Sequence, residues 1–309
     1  MKSECLTQPY IKDVPVLGLG TYLMDDEKIT NKIIKDAIEC GYRHIDTARV
    51  YGNEQYIGVA LQEIYQQKIV KREDLFICSK LWDSDKKEGG IEKALRSSLK
   101  QLQTNYLDLY LIHFPACLID EKHKPMPLHK VWAELEHCVE LKLVRHIGIS
   151  NFNAQLLIEL LTFANIKPYV NQIEVHPYLP QEEMLSICKR YDIIVEAYSP
   201  LGSPGNSDNH QESILKDPTI ISLSHQYNKT PAQIILNWGI CKGCVILPKS
   251  THTERIKENI FSTSFKLKES DIQLISDITV KSPHKIYRVF NPKEWDGKNS
   301  DFKGVPLFA

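Results

Sequence analysis

Charge of one sign is what this sequence most clearly lacks: 38 basic residues stand against 39 acidic, a formal net charge of −1. That balance excludes the electrostatic footprint of a nucleic-acid binder and argues equally against a membrane surface as partner. Long apolar runs are missing too. Met1 to Asp13 mixes charged and polar residues without the apolar core of a signal peptide, and no later run approaches a membrane span. The expected location is the cytoplasm. A disulfide framework is also absent, because the 8 cysteines are scattered through a chain long enough to bury its own core, and free thiols are expected. Cys241-Lys242-Gly243-Cys244 has neither a second cysteine pair nor nearby histidines, so it reads as a helix-to-strand turn and no metal is expected. No Pro/Gly/Ser-rich linker divides the 309 residues. Length alone permits two domains, but the simpler reading is one domain over 1–309.

What is present is a recurring alternation. Short apolar runs with the character of buried parallel strands fall at Leu17–Gly20, His44–Asp46, Leu75–Lys80, Leu107–Ile112, Val144–Ser150, Val170–Glu174, Ile193–Tyr198 and Val245–Pro248. Between them the apolar residues take helical spacing, as in Ile29, Ile33, Ile34, Ala37, Ile38 and in Ile91, Leu95, Leu99, Leu102. Eight alternations predict an α/β fold, a closed (β/α)₈ barrel of the TIM type. An extra helix is expected at Lys268–Ser276. Beyond it, the tail from Lys281 to Ala309 carries Tyr287, Phe290, Trp295, Phe302 and Phe308 and is expected to pack over the barrel mouth.

A barrel of this type collects its catalytic groups at the C-terminal ends of its strands. Asp46, Lys80 and His113 fall there, and Tyr51 follows Asp46 by five residues. Singly, each reads as well as a structural or solvated residue. Brought to one mouth, they make a proton-transfer set in which the ammonium stabilises a phenolate and the carboxylate holds the ammonium. Gly18-Leu19-Gly20 is no dinucleotide fingerprint of the Rossmann type, since Leu23 stands where its third glycine would be. The phosphate-binding candidate instead follows the eighth strand, where Pro248 to Arg255 opens a helix. Lys249 and Arg255, with hydroxyl donors and helix-terminal amides, suit the 2′-phosphate of NADP better than the bare ribose of NAD. A solvated helix start is the plain alternative for that segment.

His44-Ile45-Asp46-Thr47-Ala48-Arg49-Val50-Tyr51-Gly52-Asn53-Glu54 strongly resembles the first signature of the aldo-keto reductases. Gly148-Ile149-Ser150-Asn151-Phe152 and Leu247-Pro248-Lys249-Ser250 resemble the two others, and Asn171 to Pro177 and Ala197 to Gly202 extend the likeness over nearly the whole chain. The resemblance implies a catalytic tetrad of Asp46, Tyr51, Lys80 and His113, with NADPH bound and NADH bound more weakly. It implies that Ser150, Asn151 and Gln172 hold the nicotinamide amide, that Tyr198 stacks on its ring, and that Ser199, Leu201 and Ser203 line the pyrophosphate. Lys249, Ser250, Arg255, Glu258 and Asn259 would hold the adenosine end, with Thr21 and Ala232 as lesser contacts. A small carbonyl substrate would sit among Tyr22, Val50, Trp82, Phe114, Phe152 and Asn291, closed over by the loop 116–128 and the tail.

The expected reaction is NADPH-dependent reduction of aldehydes, and of some ketones, to alcohols by a monomer. The tail resembles those of sugar reductases, whereas Val50 stands where fungal xylose reductases carry aspartate, so the choice of aldehyde stays open. Two alternatives remain: a non-catalytic NADPH-binding barrel, and a ketosteroid or prostaglandin reductase. The hairpin that plugs such barrels is expected to be short or distorted, because Tyr10-Ile11-Lys12-Asp13 lacks an Asn-Gly turn.

Overall fold

The computed structural model describes residues 8–115, 126–204 and 213–290. The chain enters through a two-residue-per-strand hairpin, β1 (Tyr10–Ile11) and β2 (Val14–Pro15), paired antiparallel. The hairpin forms without the Asn-Gly turn because Lys12 takes the left-handed conformation at φ 56°. It is latched to the barrel floor instead. Lys12 Nζ pairs with Asp192 at 2.9 Å, and Asp13 accepts hydrogen bonds from His146 at 2.9 Å and from the Tyr169 hydroxyl.

Eight parallel strands follow: β3 (Leu19–Gly20), β4 (His44–Asp46), β5 (Phe76–Leu81), β6 (Leu107–Ile112), β7 (Val144–Ser150), β8 (Val170–Glu174), β9 (Ile194–Tyr198) and β10 (Cys244–Leu247). Each pairs with the next in chain order. Closure is made just before β3, where Gly18 N donates to Ile246 O and Ile246 N to Val16 O, both at 2.8 Å. The eight predicted strands are therefore found, with bounds shifted by two residues at most at either end. The helices between them are α1 (Glu27–Cys40), α2 (Glu54–Gln66), α3 (Gly90–Leu102), α4 (Leu128–Glu140), α5 (Ala154–Phe163), α6 (Glu182–Arg190), then α7 (Pro218–Tyr227) and α8 (Pro231–Cys241) before the last strand. After it come α9 (Thr253–Ile260), α10 (Glu269–Ser276), which is the extra helix expected, and α11 (Ile278–Lys281).

Local chemistry sets the helix bounds. Asp26 caps α1 by accepting from Ile29 N, and Gly41 ends it at φ 108°. Thr230 and Gln233 form a reciprocal capping box on α8, with Pro231 in its first turn. On α3 the predicted stripe Ile91, Leu95, Leu99, Leu102 is buried as read. On α1, Thr30, Ile33, Ile34, Ala37 and Ile38 are buried, but Ile29 is 45% exposed and lines the cavity that opens beside α9. Cys241-Lys242-Gly243-Cys244 is the helix-to-strand turn expected, with Gly243 at φ 83°. The described cysteines, Cys40, Cys78, Cys138, Cys188, Cys241 and Cys244, are free thiols, and Cys5 and Cys117 lie outside the described residues.

The period-two alternation of a strand decides what enters the barrel. Val14 of the hairpin, Phe76, Cys78, Leu109, Leu111, Val170, Ile194, Val245 and Leu247 form one buried cluster that fills it. Gly18 and Gly148 make room for this filling: a Cβ on Gly18 would stand 2.5 Å from the Leu247 side chain, and one on Gly148 2.7 Å from Leu111. Continuing the same inward alternation upward leads from Cys78 to Lys80, from Leu111 to His113, from Val170 to Gln172 and Glu174, and from Ile194 to Glu196 and Tyr198. The lower barrel is oily and its upper end polar.

Candidate active site

Asp46 closes β4, Lys80 lies near the end of β5, and His113 follows β6, where its N–H still donates to Leu81 O at 3.1 Å. Tyr51 stands in a single 3₁₀ turn, Arg49–Tyr51, stopped by Gly52 at φ 69°. That turn is held from below. Asn53 accepts from the Thr47 hydroxyl at 2.9 Å and donates to Thr21 O at 2.8 Å, and the Thr21 hydroxyl donates to Asp46 O at 2.9 Å. Every member of this network is buried, so the backbone carrying Tyr51 has little freedom.

The four predicted catalytic residues converge. Lys80, fully buried, places Nζ 2.7 and 2.8 Å from the two carboxylate oxygens of Asp46, 2.9 Å from Thr47 O and 3.4 Å from the Tyr51 hydroxyl. The Tyr51 and His113 rings meet edge-on, with centroids 5.8 Å apart. Burial presses against the Lys80 ammonium, but Asp46 and then Tyr51 outweigh it and hold its pKa above the ordinary lysine value. Tyr51 goes the other way from the sequence expectation: burial pushes its pKa up to about 12, and Lys80 only offsets part of that. His113 is held well below the ordinary imidazole value by burial and by the charges of Lys80 and Lys86, and its buried Nδ1 has no partner among the described residues.

Beside the tetrad, the residues expected at the nicotinamide form one hydrogen-bonded cluster. Asn151, left-handed at φ 64°, donates to His113 O at 2.9 Å and to Ser150 Oγ at 3.1 Å, and accepts from the Tyr198 hydroxyl at 2.8 Å. Ser150 Oγ donates to Gln172 O at 2.8 Å. Gln172 Nε2 donates to Asp46 and to Glu196, each at 2.8 Å, which leaves its side-chain oxygen Oε1 as the amide atom without a hydrogen bond among the described residues. After β9, Ser199 and Ser203 are both left-handed at φ 47° and joined through their hydroxyls at 3.2 Å, with half-buried Leu201 between them.

At the start of α9, Ser250 Oγ accepts from His252 N at 3.1 Å and Asn259 is buried. Glu258 is committed to the framework, accepting from the Thr230 hydroxyl at 2.5 Å, and Ala232 is half-buried in the first turn of α8. Lys249 and Arg255 form no ion pair among the described residues, and partial desolvation lowers the Lys249 pKa. Two uncommitted cations beside a helix N-terminus fit an anionic phosphate, and Arg255 borders a cavity of about 620 Å³ between α1 and α9. Lys32 and His252, which sequence reasoning did not single out, line it as well.

The expected substrate wall is partly assembled. Tyr22 packs on Tyr51 with centroids 5.1 Å apart, Trp82 meets His113 edge-on at 5.2 Å, and Phe114 stacks on His113 at 5.2 Å. Val50 is half-buried next to Tyr51, whereas Phe152 is buried within the large apolar cluster. Phe290 adds to the wall, its ring 5.3 Å from Phe114. A fastening missed in the sequence brings it there: Glu174, fully buried at the end of β8, accepts from Val289 N at 2.6 Å and Phe290 N at 3.1 Å. The inward alternation of β8 was the signal that could have shown Glu174 facing the mouth. Asn291, the rest of the tail and residues 116–125 of the expected closing loop lie outside the described residues.

A closed β/α barrel with an ammonium joined to a phenol, a buried imidazole beside them and two uncommitted cations after the last strand fits a carbonyl oxidoreductase that uses a phosphorylated dinucleotide. Comparison with known proteins agrees. The Aldo/keto reductase family profile matches residues 16–279. Aldo-keto reductase family 1 member A1-A of Danio rerio is 38% identical over 301 residues, covering 89% of this chain and 92% of that protein. Aldose reductase B of Dictyostelium discoideum is 40% identical, with 87% and 90% covered. The crystal structure of a Bombyx mori aldo-keto reductase in complex with NADP superposes with a TM-score of 0.86 at 34% identity, over 96% of this chain and 99% of that one. The chain belongs to the aldo/keto reductase family, and its activity is NADPH-dependent reduction of carbonyl compounds.

Proposed function

We propose that Tyr51 is the general acid of this reaction, that Lys80 and Asp46 set its acidity, and that His113 orients the carbonyl. The observation that carries the assignment is the unbroken contact from Asp46 through the Lys80 ammonium to the Tyr51 hydroxyl, with His113 facing the same ring. Bound NADPH supplies the hydride. As negative charge gathers on the carbonyl oxygen, Tyr51 delivers its proton there, and the ammonium at 3.4 Å stabilises the phenolate left behind. His113, neutral because burial and two lysines disfavour its charge, directs the carbonyl by a hydrogen bond and does not compete as an acid.

Ser150, Asn151 and the carbonyl oxygen of Gln172 would hold the nicotinamide amide, and Tyr198 would pack on its ring. Lys249, Ser250 and Arg255 would hold the 2′-phosphate, which gives NADPH its advantage over NADH. Tyr22, Val50, Trp82, Phe114 and Phe290 favour a small aldehyde with an apolar or polyhydroxyl chain. Sugar aldehydes are supported by the likeness to a protein named aldose reductase. We read the chain as one domain working as a cytoplasmic monomer, which light scattering tests.

The deciding experiment is Tyr51→Phe, followed by NADPH oxidation against glyceraldehyde and by quenching of protein fluorescence. Turnover should fall at least about a hundredfold while NADPH affinity stays within about twofold, since only the proton donor is lost. Turnover that survives the change refutes the assignment.

A further inference from the structure

Glu196 sits inside the barrel on β9, fully buried, and no step of the proposed reaction uses it. The groups that face it come from four elements. From β8, Gln172 Nε2 lies 2.8 Å from Glu196 Oε2 and the same distance from Asp46 Oδ2. From β4, Asp46 stands across that amide, and His44 Nε2 is 3.7 Å from Glu196 Oε1, too far for a hydrogen bond. From β5 come the Cys78 thiol, within 4.8 Å of both carboxyl groups, and the charge of Lys80. On β10, Val245 and Leu247 are apolar, and the hairpin offers only the Pro15 carbonyl, which faces His44.

One amide nitrogen with two protons thus bridges two carboxyl groups, and Lys80, the one cation beside them among the described residues, is already engaged by both oxygens of Asp46. Two carboxylates so placed in a dry interior do not both ionise at neutral pH. Burial, and then the charge of Asp46, push Glu196 up to about 8, and burial holds His44 down to about 4. At neutral pH the enclosed space therefore contains one ion pair, one neutral acid and one neutral imidazole.

We propose that Glu196 is a positioning residue for the tetrad, which acts through the Gln172 amide to fix the Asp46 carboxylate that holds Lys80. By accepting a hydrogen bond from one amide N–H, it also leaves Gln172 its side-chain oxygen Oε1 to offer a cofactor amide. This rests on the reading of Asp46, Tyr51 and Lys80 as the catalytic machinery. When Glu196 ionises, a second negative charge competes for the amide protons and makes Tyr51 a weaker acid, so aldehyde reduction declines through that ionisation.

The test compares wild type, Glu196→Gln and Glu196→Ala in kcat/KM for glyceraldehyde from neutral to alkaline pH, in NADPH affinity by fluorescence quenching, and in infrared spectra. Glutamine keeps a neutral acceptor for the Gln172 amide, so E196Q should match wild type within about twofold at neutral pH and lack the decline near pH 8. Alanine removes the acceptor and should lower kcat/KM about tenfold and weaken NADPH binding. If E196A does not fold, the pH profile of E196Q carries the test. Wild type should also show a protonated-carboxyl infrared band that shifts in heavy water and is missing from E196Q. A decline that persists in E196Q, an alanine variant indistinguishable from wild type, or no such band overturns the proposal. Failure of the catalytic reading looks different: Tyr51→Phe would keep its turnover, whatever the Glu196 variants do.

Discussion

Burying a carboxylic acid and an imidazole in one barrel leaves a signature in stability that owes nothing to catalysis. Glu196 rises from an ordinary 4.5 to about 8 on folding, first through burial and then through Asp46. The folded protein therefore binds the proton more tightly than the unfolded chain, and stability falls as pH rises from 4.5 to 8. His44, driven from 6.5 down to about 4 by burial, has the opposite sign: the folded state rejects its proton, and stability rises as pH climbs from 4 to 6.5. Below pH 6.5 the two slopes nearly cancel, and between 6.5 and 8 only that of Glu196 remains. At about 1.4 kcal/mol per pH unit for one proton, this amounts to roughly 2 kcal/mol lost across that interval. Urea denaturation of wild type and E196Q at both ends of it isolates the term, because all other groups are common to the two proteins. The difference in unfolding free energy between them should widen by roughly 2 kcal/mol toward alkaline pH, in favour of E196Q. Parallel curves would show that Glu196 is already ionised in the folded state and refute the reasoning.

Arg255→Ala should weaken NADPH at least about tenfold and NADH hardly at all, as measured by fluorescence quenching, since only the former carries the 2′-phosphate. Equal weakening of both would remove Arg255 from the phosphate site. Gly202→Ala should cost about 1–3 kcal/mol in urea unfolding, because the site is left-handed at φ 66° and the new Cβ would stand 2.3 Å from the Tyr287 hydroxyl and 2.6 Å from Ile214. That collision also presses on the segment leading to Phe290, so KM for an aromatic aldehyde should rise more than kcat falls; an unchanged KM would detach the segment from the pocket.

Much of this protein is legible one residue at a time. Apolar runs bounded by helical stripes announce eight β/α units, because a strand covered on both faces must be apolar throughout and a covering helix on one face only. Asp46, Lys80 and His113 are visible as polar residues at strand ends, and the motif around Tyr51 supplies the fourth. Ile29 was misread because spacing alone does not show that a cavity opens beside that part of the helix. The sign of the Tyr51 shift was misjudged for a related reason: the ammonium beside it is evident from the residues, but the burial that outweighs it exists only once the barrel has closed. Glu174 and Glu196 looked like ordinary polar residues in apolar strands. Only closure turned one toward the backbone of a segment more than a hundred residues away and the other toward Asp46, since strand alternation specifies which residues share a face, whereas the meeting of faces across a barrel is decided by tertiary structure.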